Sequence, residues 1–151
     1  MTAAERLVEL GIELPPVASP VAAYVPALRV GGQVWTSGQL PFFDGELTLT
    51  GKVGAGVSPE DAAEAARTAA LNAVAAAADA AGGLDRIRRV AKVVVFVAST
   101  PGFTGQPAVA NGASNLLGDI FGEDGTHVRS AVGVAVLPLD SPVEVELIVE
   151  V

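Results

Sequence analysis

The sequence predicts an α+β domain in which two main helices cover one face of a mixed β-sheet. Segments with the patterns of strands, helix, strand, helix and strands follow one another along 151 residues, a length typical of one domain. Half of the residues are apolar but only 5% are aromatic, so the core has to consist of closely packed Ala, Val and Leu. Small side chains of this kind let helices lie close to a sheet.

The N-terminal segment predicts a short helix followed by a hairpin. Residues 3–10 place apolar side chains at helical spacing, and Gly11 ends the helix. From Val21 to Thr36 the pattern predicts two strands joined at the Gly31-Gly32 pair. A glycine pair suits the positive φ angles of a tight hairpin turn.

The first main helix is predicted from strong boundary signals. Residues 42–57 are rich in glycine and predict a turn, a short strand over residues 47–49 and a flexible loop. Residues 58–61 (SPED) then supply a serine N-cap, a proline at the first helical position and two acids at the positive end of the helix dipole. An alanine-rich helix follows to about Ala81, and Gly82 ends it.

The C-terminal half alternates strands with the second main helix. Val90–Ala98 is a β-branched run that predicts a strand buried on most of its surface. After Pro101, apolar residues on one helical face predict a helix that ends at Gly122. Val128–Leu137 and Val143–Val151 predict the final strands. The sheet face without helices needs another cover, which favours self-association into a ring.

Composition excludes several classes of function. A formal charge of −8 opposes binding to a phosphate backbone, and the only basic cluster (Arg86, Arg88 and Arg89) is typical of the solvated start of a strand. The chain has no cysteine and one histidine, His127, so it cannot complete the usual zinc sets, and we expect no metal site. No apolar run is long enough for a membrane span, and the acidic N-terminus argues against an export signal, so we expect a cytoplasmic protein.

Arg129 is the first candidate site residue. Strand alternation places it on one face with Ala131, Gly133 and Ala135, three small residues that leave room beside a guanidinium. The donor fork of arginine matches a carboxylate in bidentate geometry. Alternation also permits a structural arginine that extends to water or pairs with a neighbouring acid.

Further candidates have equally plain structural alternatives. Glu144 alternates with apolar residues and faces water unless the last two strands form an antiparallel hairpin, which would bring it toward the pocket as a base for water. Ser37 and Gly38 directly follow a strand and form either a ligand-binding loop or an ordinary turn. Tyr24 either donates to a ligand or packs at the edge of the core, and Asn111 lies in a helix where exposure to solvent is usual.

Several segments form a specific pattern when they are taken together. They are Tyr24–Pro41 (YVPALRVGGQVWTSGQLP), GKVG at 51–54, the helix around Asn72, the VVVFVAS strand and the 129–146 pattern RSAVGVAVLPLDSPVEVE. The most specific features are the terminal pattern and a tyrosine 13 residues ahead of SGQ. In order and spacing these segments resemble the RidA/YjgF family of imine deaminases, formerly called endoribonuclease L-PSP. The resemblance covers a domain over residues 21–151 and leaves residues 1–20 as an N-terminal helix and extension, as in a longer bacterial branch.

The resemblance implies a chorismate-mutase-like fold, a homotrimer and clefts between subunits that hydrolyse 2-imino or enamine acids to 2-keto acids and ammonia without a cofactor. By position, Arg129 matches the carboxylate-binding arginine and Glu144 the acid that positions water. Tyr24 and the Ser37-Gly38 loop match pocket residues, and Asn111 matches a family asparagine if one residue is inserted.

Two positions depart from the family pattern. Ala131 stands where many members have cysteine and Gly133 where many have glutamate, which predicts a roomier, less polar pocket. A trimer that binds small carboxylates without turnover, with a regulatory role, is the alternative function. RNA cleavage is opposed by the charge, and a chorismate-mutase-like reaction would depend on fold analogy alone.

Overall fold

Two long helices lie on one face of a five-stranded mixed sheet in the computed structural model, which describes residues 1–17 and 22–151. The helices are α1 (Ala3–Leu10), α2 (Pro59–Ala81) and α3 (Gln106–Phe121). The strands are β1 (Ala27–Val30), β2 (Gln33–Thr36), β3 (Phe42–Phe43), β4 (Glu46–Leu47), β5 (Lys52–Val53), β6 (Gly56–Val57), β7 (Arg89–Ala98), β8 (Val128–Val134) and β9 (Val143–Glu150). The predicted α+β class, with two main helices on one sheet face, is confirmed.

The main sheet has the strand order β1-β2-β9-β7-β8. Strands β7 and β8 are parallel, and the other neighbours are antiparallel. The hairpin of the last two strands, which would have brought Glu144 toward the pocket, is therefore wrong. The short link between β8 and β9 crosses the end of β7, which pairs with both strands and separates them.

The helices begin and end where the sequence predicts. The Ser58 hydroxyl accepts a hydrogen bond from the Asp61 amide at the start of α2, and Gly82 ends that helix in the left-handed conformation with φ 88°. Helix α1 begins with a capping box between Thr2 and Glu5. These local signals decide helix boundaries because they satisfy backbone groups that lack partners inside the helix.

Small side chains allow the two main helices to touch each other and the sheet. Most buried residues of α2 are alanines, and they pack with the buried valines of β7 and β9 into one core. At the crossing of α2 and α3, a Cβ on Gly112 would lie 1.9 Å from the carbonyl oxygen of Ala63. Backbone therefore approaches backbone at this crossing, which only glycine permits.

Several predicted boundaries differ from the structure. The first strand begins at Ala27 rather than Val21, and Val21 itself lies outside the described residues. Strand β8 ends at Val134, before Leu137. The predicted flexible loop contains the parallel pair β5 and β6, which is held in place because Val53 is fully buried. In the hairpin turn only Gly31 has a positive φ, 59°.

The N-terminal helix packs on the end of α3. The Arg6 guanidinium donates to the carbonyl of Ile120 (3.4 Å), and the amide of Ala4 donates to Asp85 (3.1 Å). The predicted boundary between the extension and the domain falls among residues 18–21, outside the described part of the chain.

The sheet face opposite the helices, here called the open face, carries many exposed apolar side chains. The exposed ones on the strands are Leu28, Val30, Trp35, Val128 and Val132. An apolar surface of this kind on a sheet is typical of an interaction surface.

Along residues 1–17 and 22–151, no helix is both long and apolar enough to cross a membrane.

Two glycines of α3 give a matched test of the helix crossing. Gly112→Ala should destabilise the fold by about 3 kcal/mol or more, because its methyl group would overlap the backbone of α2. Gly118→Ala should stabilise it by about 0.5 to 1 kcal/mol, because its methyl group meets nothing within 4 Å and alanine favours a helix. Urea unfolding of both variants measures the difference, and equal effects would contradict the close crossing.

Candidate functional site

Arg129 lies on the helix-facing side of the edge strand β8, below α3. Its Nη1 donates to Asn111 Oδ1 (2.8 Å) and to Ser114 Oγ (3.1 Å), both on α3. Ser114 Oγ is also 2.8 Å from His127 Nε2. We call Asn111, Ser114, His127 and Arg129 the arginine cluster. Two predicted site residues, Asn111 and Arg129, are therefore in direct contact.

The other predicted residues gather at the far end of β2. The backbone of Gln39 exchanges two hydrogen bonds with Val145 (2.8 and 2.9 Å), which brings Glu144 against Gly38. The contact is so close that a Cβ on Gly38 would lie 2.5 Å from Glu144 Oε1. We call Tyr24, Ser37, Gly38 and Glu144 the loop cluster.

Ser37 links Tyr24 to this cluster. Its amide donates to the carbonyl of Pro26 (2.8 Å), and its hydroxyl donates to the carbonyl of Val25 (2.6 Å), next to Tyr24 in the chain. The side chain of Tyr24 is 57% exposed, so it does not fill the core and is accessible to a ligand or another subunit.

The two clusters lie on opposite faces of the sheet. Arg129 pairs with Val93 of β7, which pairs with Leu147 of β9, and both are buried under the helices. Glu144 pairs with Phe96, three residues further along β7, and points to the open face. Across the strands the two residues are about 10 Å apart, because β7 lies between β8 and β9. Along the strands they are about another 10 Å apart, because three residues separate their positions on β7. One chain therefore cannot bring Arg129 and Glu144 to the same small ligand.

The carboxyl group of Glu144 differs electrostatically from an ordinary surface acid. Partial burial raises the pKa of Glu144, and the negative charge of Glu146 on the same sheet face raises it further. A carboxyl group with a raised pKa exchanges protons closer to neutral pH.

The space beside Gly133 is occupied by the side chain of Gln106. A Cβ on Gly133 would lie 2.9 Å from the side-chain nitrogen of Gln106. That amide donates to the carbonyl of Phe103 (2.8 Å) and to Ser99 Oγ (3.4 Å). Gln106 thus places a polar amide next to Gly133. Ala131 is half-buried and packs against the core.

Sequence reasoning missed Ser114 and His127. Asn111 and Ser114 are three residues apart, which puts them on one helical face, and His127 directly precedes β8, two residues before Arg129. These spacings were visible, but nothing in the sequence indicated that this helix face covers this strand. In the described part of the chain, no three His, Asp or Glu side chains form a group that could hold a metal ion.

A family model described as "YjgF/chorismate mutase-like, putative endoribonuclease" matches residues 4–151, a range that includes all of α1 except Ala3. The Trypanosoma cruzi protein TCP17 is 47% identical over 148 residues, covering 97% of this chain and 92% of its own length.

Solved structures with the same fold include a "putative endoribonuclease" from Shewanella oneidensis. It is 38% identical, covers 100% of both chains and has a TM-score of 0.95. The structure of Escherichia coli TdcF with bound serine is 27% identical over 89% of this chain and 93% of its own, with a TM-score of 0.64.

The raised pKa of Glu144 makes stability depend on pH, and it should fall when the charge of Glu146 is removed. Because folding raises this pKa, the folded chain holds the proton to a higher pH than the unfolded chain does. Glu144 therefore favours folding at low pH, and this contribution is lost as the pH rises through the raised pKa.

Glu146→Gln should move the titration midpoint of Glu144 to lower pH, as measured by carbon-13 NMR of its carboxyl group. Glu150→Gln, further along the same strand, is the control and should leave the midpoint in place. An unchanged midpoint in Glu146→Gln would show that the neighbouring charge has no effect.

Proposed function

This chain belongs to the YjgF/chorismate-mutase-like family, and from that membership we propose that it hydrolyses 2-imino acids to 2-keto acids and ammonia between the subunits of a homotrimer. One observation carries the proposal. The half-buried guanidinium of Arg129 is held by two neutral oxygens, and among the described residues no carboxylate pairs with it. A positive charge held in this way favours an anionic ligand, and a carboxylate matches its donor fork.

The proposed assembly would join the two clusters. Arg129 lies on an edge strand, where a second copy can approach it, and the loop cluster lies beside the exposed apolar open face. Packing the open face of one copy along β8 of the next would bury apolar surface and bring the partner's Glu144 toward Arg129. Three copies in a ring repeat this contact without leaving a free end, in keeping with the family resemblance.

The chemistry requires little from the protein, because an imine carbon is already electrophilic. Arg129 would orient the substrate through its carboxylate. Glu144 would accept a proton from water as the water oxygen bonds to the imine carbon, and would return that proton to the nitrogen. The hydroxyl group of the resulting carbinolamine then passes its proton through Glu144 to the nitrogen, the carbon–nitrogen bond breaks, and the 2-keto acid and ammonia form. This mechanism needs no cofactor. We propose that this reaction takes place in the cytoplasm.

A carboxylate-binding trimer without turnover is the second candidate, with a regulatory role. It is favoured by TdcF, a relative whose structure contains serine, an amino acid rather than an imine. Calorimetry with 2-oxobutanoate, together with the assay below, separates the two functions, since binding without turnover would support only the second.

Mixed trimers test the shared site. Arg129→Ala should lower kcat/KM by about 30-fold or more, and Glu144→Gln by roughly 100-fold, in a coupled amino-acid-oxidase assay with semicarbazide. Mixing the two inactive variants should restore about a quarter of the wild-type activity if subunits assort at random, because some interfaces then combine an intact arginine with an intact glutamate.

Mass and charge controls accompany the mixing experiment. Light scattering should give three times the chain mass of 15.1 kDa. Arg88→Ala removes an arginine outside both clusters and should keep full activity. Wild type that does not accelerate imine hydrolysis over buffer would refute the activity. Active protein without recovery on mixing would refute only the shared site.

Gly38→Ala tests the placement of Glu144. The three atoms nearest to the added methyl group all belong to the side chain of Glu144, so the carboxyl group would be displaced, and kcat/KM should fall roughly 10- to 100-fold with little change in melting temperature. Gly32→Ala, whose methyl group meets nothing within 4 Å, is the control. Unchanged activity in Gly38→Ala would show that the position of Glu144 is not critical.

A further inference from the structure

A chain of hydrogen bonds lies behind Arg129 and is not used in the reaction proposed above. It runs from the carbonyl of Gly125 to His127 Nδ1 (2.6 Å), from His127 Nε2 to Ser114 Oγ (2.8 Å), and from Ser114 Oγ to Arg129 Nη1 (3.1 Å). Asn111 Oδ1 is the second acceptor of Nη1, at 2.8 Å. The direction of each bond follows from the chemistry of the groups.

A carbonyl oxygen only accepts, so His127 Nδ1 carries the proton and donates it to Gly125. In the neutral ring Nε2 carries no proton, so it accepts a hydrogen bond from the hydroxyl group of Ser114. The remaining lone pairs of the serine oxygen face Arg129, whose guanidinium only donates. Every bond in the chain thus has one donor and one acceptor, and the histidine sets the direction of the serine hydroxyl.

The turn that carries Gly125, the first acceptor in this series of hydrogen bonds, packs tightly against α3. A Cβ on Gly125 would lie 2.3 Å from the carbonyl oxygen of Leu117, so the turn that carries Gly125 packs directly on the backbone of α3. Asn111 and Ser114 also belong to α3. One helix therefore fixes both acceptors of the guanidinium and, through His127, the orientation of one of them.

The two sides of the Arg129 guanidinium differ in their hydrogen bonds. Both hydrogens of Nη1 are directed to acceptors, one to Asn111 and one to Ser114. Within residues 1–17 and 22–151, Nε and Nη2 of Arg129 make no hydrogen bond and no ion pair. The edge formed by Nε and Nη2 presents two parallel N–H groups, the spacing that a carboxylate accepts in bidentate fashion.

We propose that Ser114 and His127 are positioning residues that lock the guanidinium of Arg129 so that its Nε–Nη2 edge receives the carboxylate of the ligand. Residues of a single subunit are sufficient to hold the guanidinium in place, whereas the identity of the ligand rests on the function proposed above. Ser114 takes no part in bond making, because its hydroxyl proton is committed to His127 and its oxygen faces a cation.

Ser114→Ala tests the lock directly. Nitrogen-15 NMR should show slow rotation of the Arg129 guanidinium about its Nε–Cζ bond in the wild type and faster rotation in Ser114→Ala. Affinity for 2-oxobutanoate, measured by calorimetry, should fall about tenfold and KM should rise similarly, while kcat stays within about twofold. Ser114→Thr keeps the hydroxyl and should restore both the slow rotation and the affinity.

His127 and a distant hydroxyl provide further variants. His127→Gln retains a side-chain acceptor for Ser114 and should lose less affinity than His127→Ala. Thr68→Val removes a hydroxyl that bonds only within α2 and should change neither rotation nor affinity.

The readouts separate this proposal from the proposed function. Slow rotation that depends on Ser114, in protein that binds no 2-keto acid, would leave the lock standing and refute the ligand. Equal rotation in wild type and Ser114→Ala would refute the lock, even if 2-oxobutanoate binds. A loss of kcat with unchanged KM in Ser114→Ala would show that the serine takes part in the chemistry and would also overturn the proposal.

Discussion

The parallel pairing of β7 with β8 is the constraint on which the rest of the structure depends. Parallel neighbours cannot be joined by a tight turn, so the chain crosses over through α3 before it enters β8. The crossover places α3 above the edge strand and brings Asn111 and Ser114 over Arg129. The same pairing leaves the other edge of β7 for β9, which carries Glu144 away from Arg129 to the open face.

Each chain therefore carries two separate polar clusters. The arginine cluster offers a guanidinium held by neutral oxygens, and the loop cluster offers a carboxyl group whose pKa is raised by burial and by Glu146. Opposite charges that lie on opposite faces cannot neutralise each other within one chain. Each remains available to a ligand or to another copy, and the apolar open face beside Glu144 favours association.

Small residues make this arrangement possible. The alanines of α2 and Gly112 of α3 let the helices pack closely against each other and the sheet, and Gly38 leaves room for the carboxyl group of Glu144. The lack of a side chain at Gly133 likewise leaves room for the amide of Gln106.

The sequence alone determined the α+β class, both main helices, the caps of α2, and the buried strand over residues 90–98, because propensity, capping and periodicity are local properties. Family resemblance in the sequence also singled out Arg129, Glu144, Tyr24 and the Ser37-Gly38 loop as candidates. Only the tertiary structure decided that β7 separates β8 from β9 and that the candidates divide between two sheet faces. It also brought Ser114 and His127 to Arg129. Strand order and the helix that covers a given strand depend on contacts between distant segments, which no local pattern encodes.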